Sequence, residues 1–182
     1  SEGLGNNTEL EEVSISELHA AALVLDAHAD IVIPSTSTSY LSDDGSSKVS
    51  LDKMRAGGVD AVVMSIAVGP GPRTEEGDAA ARAEADEKLE AINSLVSLSD
   101  GNAVLVRSSA ELVAAHEAGK SAIILGFQNA RSLERDINTI DEFYQAGVRV
   151  FGLNHLGHNE FSDSSRPNFD GTTGKFEVTE EH

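Results

Sequence analysis

Ala61-Val62-Val63-Met64-Ser65-Ile66-Ala67-Val68 is an apolar run interrupted by one serine, too short for an ordinary helix and lacking the alternation of a half-exposed strand. Such a run suits a strand buried on both faces, and strands of that kind belong to parallel sheets covered by helices. Four further stretches share the character: Leu23 to Ala27, Ala103 to Val106, Ala122 to Phe127 and Val148 to Leu153. Each reads as a strand.

The segments between them read as helices. From Asp78 to Leu98, Ala85, Leu89, Ile92 and Val96 recur at steps of four, three and four, the spacing of one helix face. Glu84 and Lys88, at i and i+4, read as its solvated side. Ser108 with Glu111 three residues on resembles a capping box, opening a helix that stops near Gly119. Leu133, Ile137, Ile140 and Tyr144 predict a further helical stripe, with Gly147 at its left-handed end. Gly57 and Gly58 follow a short helical stretch and suit a backbone needing positive φ. Strand and helix in alternation give an α/β fold with right-handed crossovers, either an open sheet or part of a closed barrel.

Composition narrows the chemistry. The chain has 182 residues, 40% of them apolar, enough for one hydrophobic core. Thirteen basic against thirty-one acidic residues give a formal charge of -18, which disfavours nucleic acid and anionic membrane surfaces as partners. With no cysteine, any metal must sit on His, Asp or Glu. No apolar stretch approaches the roughly 20 residues of a membrane span, so no transmembrane segment is expected. Residues 1–17 read as a polar N-terminal extension and 18–182 as one α/β domain. Together with the acidity, that neck leans toward a periplasmic or otherwise extracytoplasmic setting.

Polar groups collect where the strands end. His28 and Asp30 stand two residues apart after the first run, and i and i+2 face the same side of a strand. One ion could take an imidazole nitrogen and a carboxylate oxygen from such a pair. Gln128 and Asn129 follow the fourth run, and Asn154 and His155 the fifth. In a barrel enzyme that rim carries the chemistry. No strand is followed by GxGxxG or GxxxxGK[ST], and Gly69-Pro70-Gly71-Pro72 is too rich in proline to present amide donors to a phosphate. Ser164 and Ser165 lack a GxSxG elbow. His19 and His116 read as surface residues in helical contexts.

Four stretches in order, DAHAD at 26–30, LDKMRAGGVDAVVMS at 51–65, AIILGFQNARSL at 122–133 and AGVRVFGLNHLGHNEFSDSSRP at 146–167, resemble the renal or membrane dipeptidases. The resemblance spans about Leu18 to the end. It implies a zinc peptidase on a metal-dependent (β/α)8 TIM barrel, cleaving the amide bond of dipeptides, often with a D-residue on the C-terminal side, by a metal-activated water. It makes His28 and Asp30 metal ligands and His155 a catalytic and substrate-binding histidine that steadies an oxyanion. Asp163 matches a family aspartate, structural or substrate-proximal, and Asn159 lies with His158 in the same loop, facing substrate or solvent. Gln128 stands where the family uses a glutamate to bridge two zinc ions. A glutamine offers one neutral carbonyl oxygen and an amide that only donates, so it cannot bridge two cations as a carboxylate does. Gln128 is thus expected to contact metal or its water, with one ion bound, two bound weakly, or no catalysis. Another amidohydrolase of the superfamily and a non-catalytic peptide-binding relative are the alternatives.

A whole barrel takes about 250 residues, and the family's remaining ligands come from later strands, so the sequence is expected to be an N-terminal portion, inactive alone. Only His182 follows Asp163 as a histidine. Half a barrel would leave strand edges open, which makes a homodimer one expected assembly.

Overall fold

The computed structural model describes residues 13–166. Most of the polar extension, and His182, lie outside them. The first element is helix α1 (Ile15–Ala21), opened by a capping box in which the Ser14 side chain accepts from the Glu17 amide and Glu17 accepts from the Ser14 amide. Strand β1 (Leu25–Asp30) follows, then helix α2 (Leu51–Gly57), strand β2 (Ala61–Ala67) and the long helix α3 (Glu75–Ser97). The chain continues through β3 (Ala103–Leu105), α4 (Ser109–Glu117), β4 (Ser121–Gln128), α5 (Thr139–Ala146) and β5 (Val148–Gly152).

All strand pairings are parallel, and helices alternate with strands, which is the α/β class expected. Strand β4 lies at the centre. It pairs along its length with β2, from Ala61↔Ala122 to Ala67↔Gln128, and β2 pairs in turn with β1. Its other side is shared in tandem: β3 covers Ser121 to Ile123, and β5 covers Leu125 to Gln128. Ala103 to Val106 is therefore a short strand on half of an edge, not a rung equal to the others.

Burial on both faces holds for β2, wholly buried, and nearly so for β4. It fails for β1, whose Leu25 and His28 are exposed because this strand has a neighbour on one side only among the described residues. The main core joins Val62, Met64 and Ile66 of β2 with Ile123, Leu125 and Phe127 of β4, covered by Ala81, Ala85 and Ile92 of α3. Phe127 packs edge-on against Phe143 of α5, with centroids 5.1 Å apart.

Four local readings change. The stripe from Leu133 to Tyr144 is not one helix. Ala130–Leu133 is a 3₁₀ turn, Glu134 and Arg135 take positive φ, and α5 starts only at Thr139. Arg135 is drawn aside by a 2.7 Å bond to the buried Asp78 carboxylate, so Phe143 faces the core while Ile137 and Tyr144 are exposed. Of the glycine pair, Gly58 is the left-handed cap (φ 66°), whereas Gly57 is helical. His116 is half-buried instead of freely exposed: its Nδ1 lies 3.1 Å from Asp60 Oδ1. At α4, Ser108 caps the Glu111 amide as expected, but the Glu111 carboxylate accepts from Arg107, not from Ser108.

Candidate metal centre and substrate cavity

The C-terminal ends of β1, β2 and β4, with the segment after β5, surround one cavity of about 660 Å³. His28, Asp30, Gln128 and His155 all line it. Four of the six residues singled out by sequence thus meet at one rim, although they span 127 positions of chain (155 minus 28).

The His28–Asp30 pair is set by a bulge as well as by strand alternation. Between Asp26↔Val62 and Ala29↔Met64, β1 advances three residues while β2 advances two. The Asp26 carboxylate accepts from the His28 amide at 3.0 Å and holds the extra residue. His28 Nε2 and Asp30 Oδ1 end 3.4 Å apart. Asp30 Oδ1 is buried and receives no hydrogen bond. A 3.4 Å gap suits two donors that each sit about 2.0–2.2 Å from one tetrahedral ion, so the pair fits a metal. It supplies two donors. Among the described residues no group of three or more His, Asp or Glu is clustered closely enough to hold an ion by itself.

Gln128 ends β4, and its backbone carbonyl accepts from Val68 at 3.2 Å. Its neighbour Asn129 is buried with φ 82° and ψ 107°, a strained geometry for a residue with a side chain. Surrounding bonds hold it there. Its side chain accepts from the Arg131 amide and from Asn159, and donates to the Gly69 carbonyl. Arg131 is buried beside it and donates to the carbonyls of Gly69 at 2.6 Å and Gly77 at 3.0 Å. Burial pulls the Arg131 guanidinium below its ordinary pKa, an effect opposed by the charges of Asp78 and Glu84. The glycine-proline loop therefore turns carbonyls toward a cation, the opposite of a phosphate cradle. A Cβ on Gly77 would stand 2.1 Å from the Pro72 carbonyl oxygen, so this tight loop-to-helix turn requires glycine.

His155 is exposed to the cavity, and its carbonyl accepts from Ser164 Oγ at 2.6 Å. The two other loop residues sit elsewhere. Asn159 is 1% exposed. It donates to Asn129 and the Leu153 carbonyl and accepts from the Phe161 and Ser162 amides, so its polar atoms are engaged by the chain and it lines no part of the cavity. Asp163 Oδ1 lies 3.3 Å from Nδ1 of the buried His158, outside the cavity lining. Among the described residues Asn159 and Asp163 thus lie outside the cavity lining, and the His158 side chain is covered instead of facing solvent.

Sequence reading missed charged residues of the cavity, Lys88 above all. Lys88, expected on the solvated side of α3, has a side chain only 12% exposed; its ammonium donates to the Ala67 carbonyl and lies 2.8 Å from Glu84. Both Lys88 and Glu84 line the cavity. The signal available was slight: an i,i+4 charge pair is common on solvated faces.

A profile described as membrane dipeptidase, peptidase family M19, matches residues 12–177. Among solved structures, the probable dipeptidase PvdM from Pseudomonas aeruginosa is 25% identical with a TM-score of 0.73, over 84% of this chain and 39% of its own. An amidohydrolase from the same organism is 27% identical with a TM-score of 0.58, over 81% and 38%. A Rhodobacter sphaeroides metallopeptidase, solved with a phosphinate mimic of the dipeptide L-Ala-D-Ala, shares the fold at 20% identity and a TM-score of 0.59, over 75% and 48%. No curated protein matches significantly. The chain spans about two fifths of the length of the first two structures. With its parallel α/β fold and a profile match covering most of its length, the chain belongs to the membrane dipeptidase family, peptidase family M19.

Proposed function

We propose that the protein carrying this chain is a metal-dependent dipeptidase that hydrolyses the amide bond of small dipeptides. The observation that carries this reading is the His28–Asp30 pair, 3.4 Å apart with an unbonded buried carboxylate oxygen, in a cavity shared with Gln128 and His155. Family membership and the dipeptidase among its structural relatives support it.

His28 and Asp30 would hold a zinc-type ion, which when bound polarises a carbonyl and makes water a competent nucleophile near neutral pH. Residues of this chain assist. His155, open to the cavity from beyond β5, is positioned to donate a hydrogen bond to an oxygen that gains negative charge during attack. Gln128 presents a neutral acceptor and a donor to the same space, orienting water or substrate without changing the charge. Asn129 and Asn159 tie the ends of β4 and β5 together, and Arg131 ties the loop after β2 to them, so the rim is held by side chains that do not touch substrate.

The test is the complete reading frame, assayed for amino-acid release from a dipeptide panel that includes L-Ala-D-Ala, with zinc and with chelator. Cleavage that chelator abolishes, and that His28→Ala lowers at least a hundredfold (about 3 kcal/mol in the barrier), is expected. No cleavage by the zinc-loaded protein, together with unchanged metal content in His28→Ala, overturns the proposal. Gln128 favours one second reading, a peptide-binding relative without turnover. Dipeptide binding by calorimetry with no cleavage would select it.

A further inference from the structure

One wall of the cavity comes from the segment between β1 and α2, and that segment is a tied turn. Leu41 and Ser47 form an antiparallel bridge, and the Ser42 amide donates to the Ser46 carbonyl at 2.9 Å, so the chain doubles back through Gly45 at φ 77°. Lys53 of α2 fastens the turn: its ammonium donates to the hydroxyls of Ser42 and Ser46, each at 2.9 Å, and to the Ser47 carbonyl. Tyr40 and Lys48 flank the bridge on its two sides, and both line the cavity. The turn's own carboxylates, Asp43 and Asp44, line no part of it.

Lys48 differs from the other charged groups in the lining. Glu84 is paired with Lys88 at 2.8 Å, and Asp30 lies 3.4 Å from His28. The Lys48 ammonium makes one hydrogen bond, to the Ser39 carbonyl at 3.1 Å, and among the described residues it meets no carboxylate. An ammonium has three donors, so two remain for a ligand. The carbonyl anchor steadies the head at the cavity wall and leaves its charge uncompensated. We propose that Lys48 is a specificity-determining residue, pairing with a carboxylate carried by the substrate. The inference rests on the dipeptidase reading above and adds to it a preferred substrate chemistry. A dipeptide can present that carboxylate from its C-terminus or from an acidic side chain.

Matched substrate pairs on the full-length, zinc-loaded protein separate the two sources: Ala-Asp against Ala-Asn for the side chain, and Ala-Ala against its C-terminal amide for the terminus. Wild type should favour the carboxylate member of one pair in kcat/KM, chiefly through KM, and the pair that responds names the source. Lys48→Met and Lys48→Gln should each lower that preference by about three- to fivefold, the range an exposed ion pair gives. Lys48→Arg should keep it, and Lys48→Glu should lower it further than Lys48→Met does. Raising the salt should shrink the wild-type preference and leave that of Lys48→Met level, because only the wild type has the charge to screen. Pair ratios that Lys48→Met and Lys48→Glu both leave unmoved overturn the inference. If no dipeptide is cleaved, the dipeptidase reading falls, and affinities of the same pairs by calorimetry decide the role of Lys48 by the same ratios. Absence of binding as well overturns both.

Discussion

At the scale of single residues, the feature that reaches furthest is a buried carboxylate oxygen that accepts no hydrogen bond. Asp30 Oδ1 is buried beside His28 and accepts no hydrogen bond. An oxygen so placed, on a side chain still 37% exposed, gains from a cation that completes it. Zinc should therefore raise the melting temperature of the wild-type protein, since a ligand bound only to the native state stabilises by mass action. In Asp30→Asn the zinc-dependent rise should disappear while the zinc-free melting temperature stays level or increases. A zinc-free Asp30→Asn protein that melts well below wild type would show the carboxylate to be a structural element instead of a waiting ligand. The pair itself was legible, because i and i+2 on a strand is a local rule. Its bulge was not read from the sequence, although Asp26, placed to accept from the His28 amide, was in view. Asn159 and Lys88 were misplaced for a common reason: burial of a polar side chain is decided by which distant carbonyls reach it, and no periodicity encodes that.

Among the elements, α3 came out close to its expected extent because its stripe of Ala85, Leu89, Ile92 and Val96 faces a sheet with nothing competing for it. The stretch after β4 failed because tertiary bonds outweighed periodicity. Arg131 is pulled to the Gly69 and Gly77 carbonyls and Arg135 to Asp78, which breaks the chain before α5. The consequence is measurable in denaturant. Phe143→Ala should cost about 3–5 kcal/mol, as a buried aromatic removed from a core does, whereas Ile137→Ala should stay within about 1 kcal/mol. Equal losses at both positions would restore the single stripe. Arg131→Met should cost about 2–3 kcal/mol through lost charged hydrogen bonds and unsatisfied carbonyls. Hydrogen exchange should speed up at 69–77 before it does in β2; uniform exchange across both would mean that Arg131 does not hold that loop.

For the molecule as a whole, two opposed forces act on its surface. Continuous apolar runs made the parallel α/β class legible, but not the tandem use of β4 by β3 and β5, since the partner of a strand is a matter of register and not of composition. Among the described residues that arrangement leaves apolar groups on outer strands: Leu25 of β1 and Val150 of β5 are 44% and 45% exposed. Open parallel edges with apolar side chains promote pairing with a second chain. A formal charge of -18 opposes it. Screening decides the balance, because the Debye length falls from about 30 Å at 0.01 M salt to about 8 Å at 0.15 M, which removes repulsion between copies while leaving apolar attraction in place. The chain of residues 1–182 should therefore elute as a monomer in light scattering at low salt and as larger species as salt rises. Val150→Lys should shift that onset to higher salt by placing a charge on the exposed edge. A molar mass that stays monomeric across the whole range would show that these edges are not sticky. An onset that Val150→Lys leaves unmoved would place the contact elsewhere on the surface.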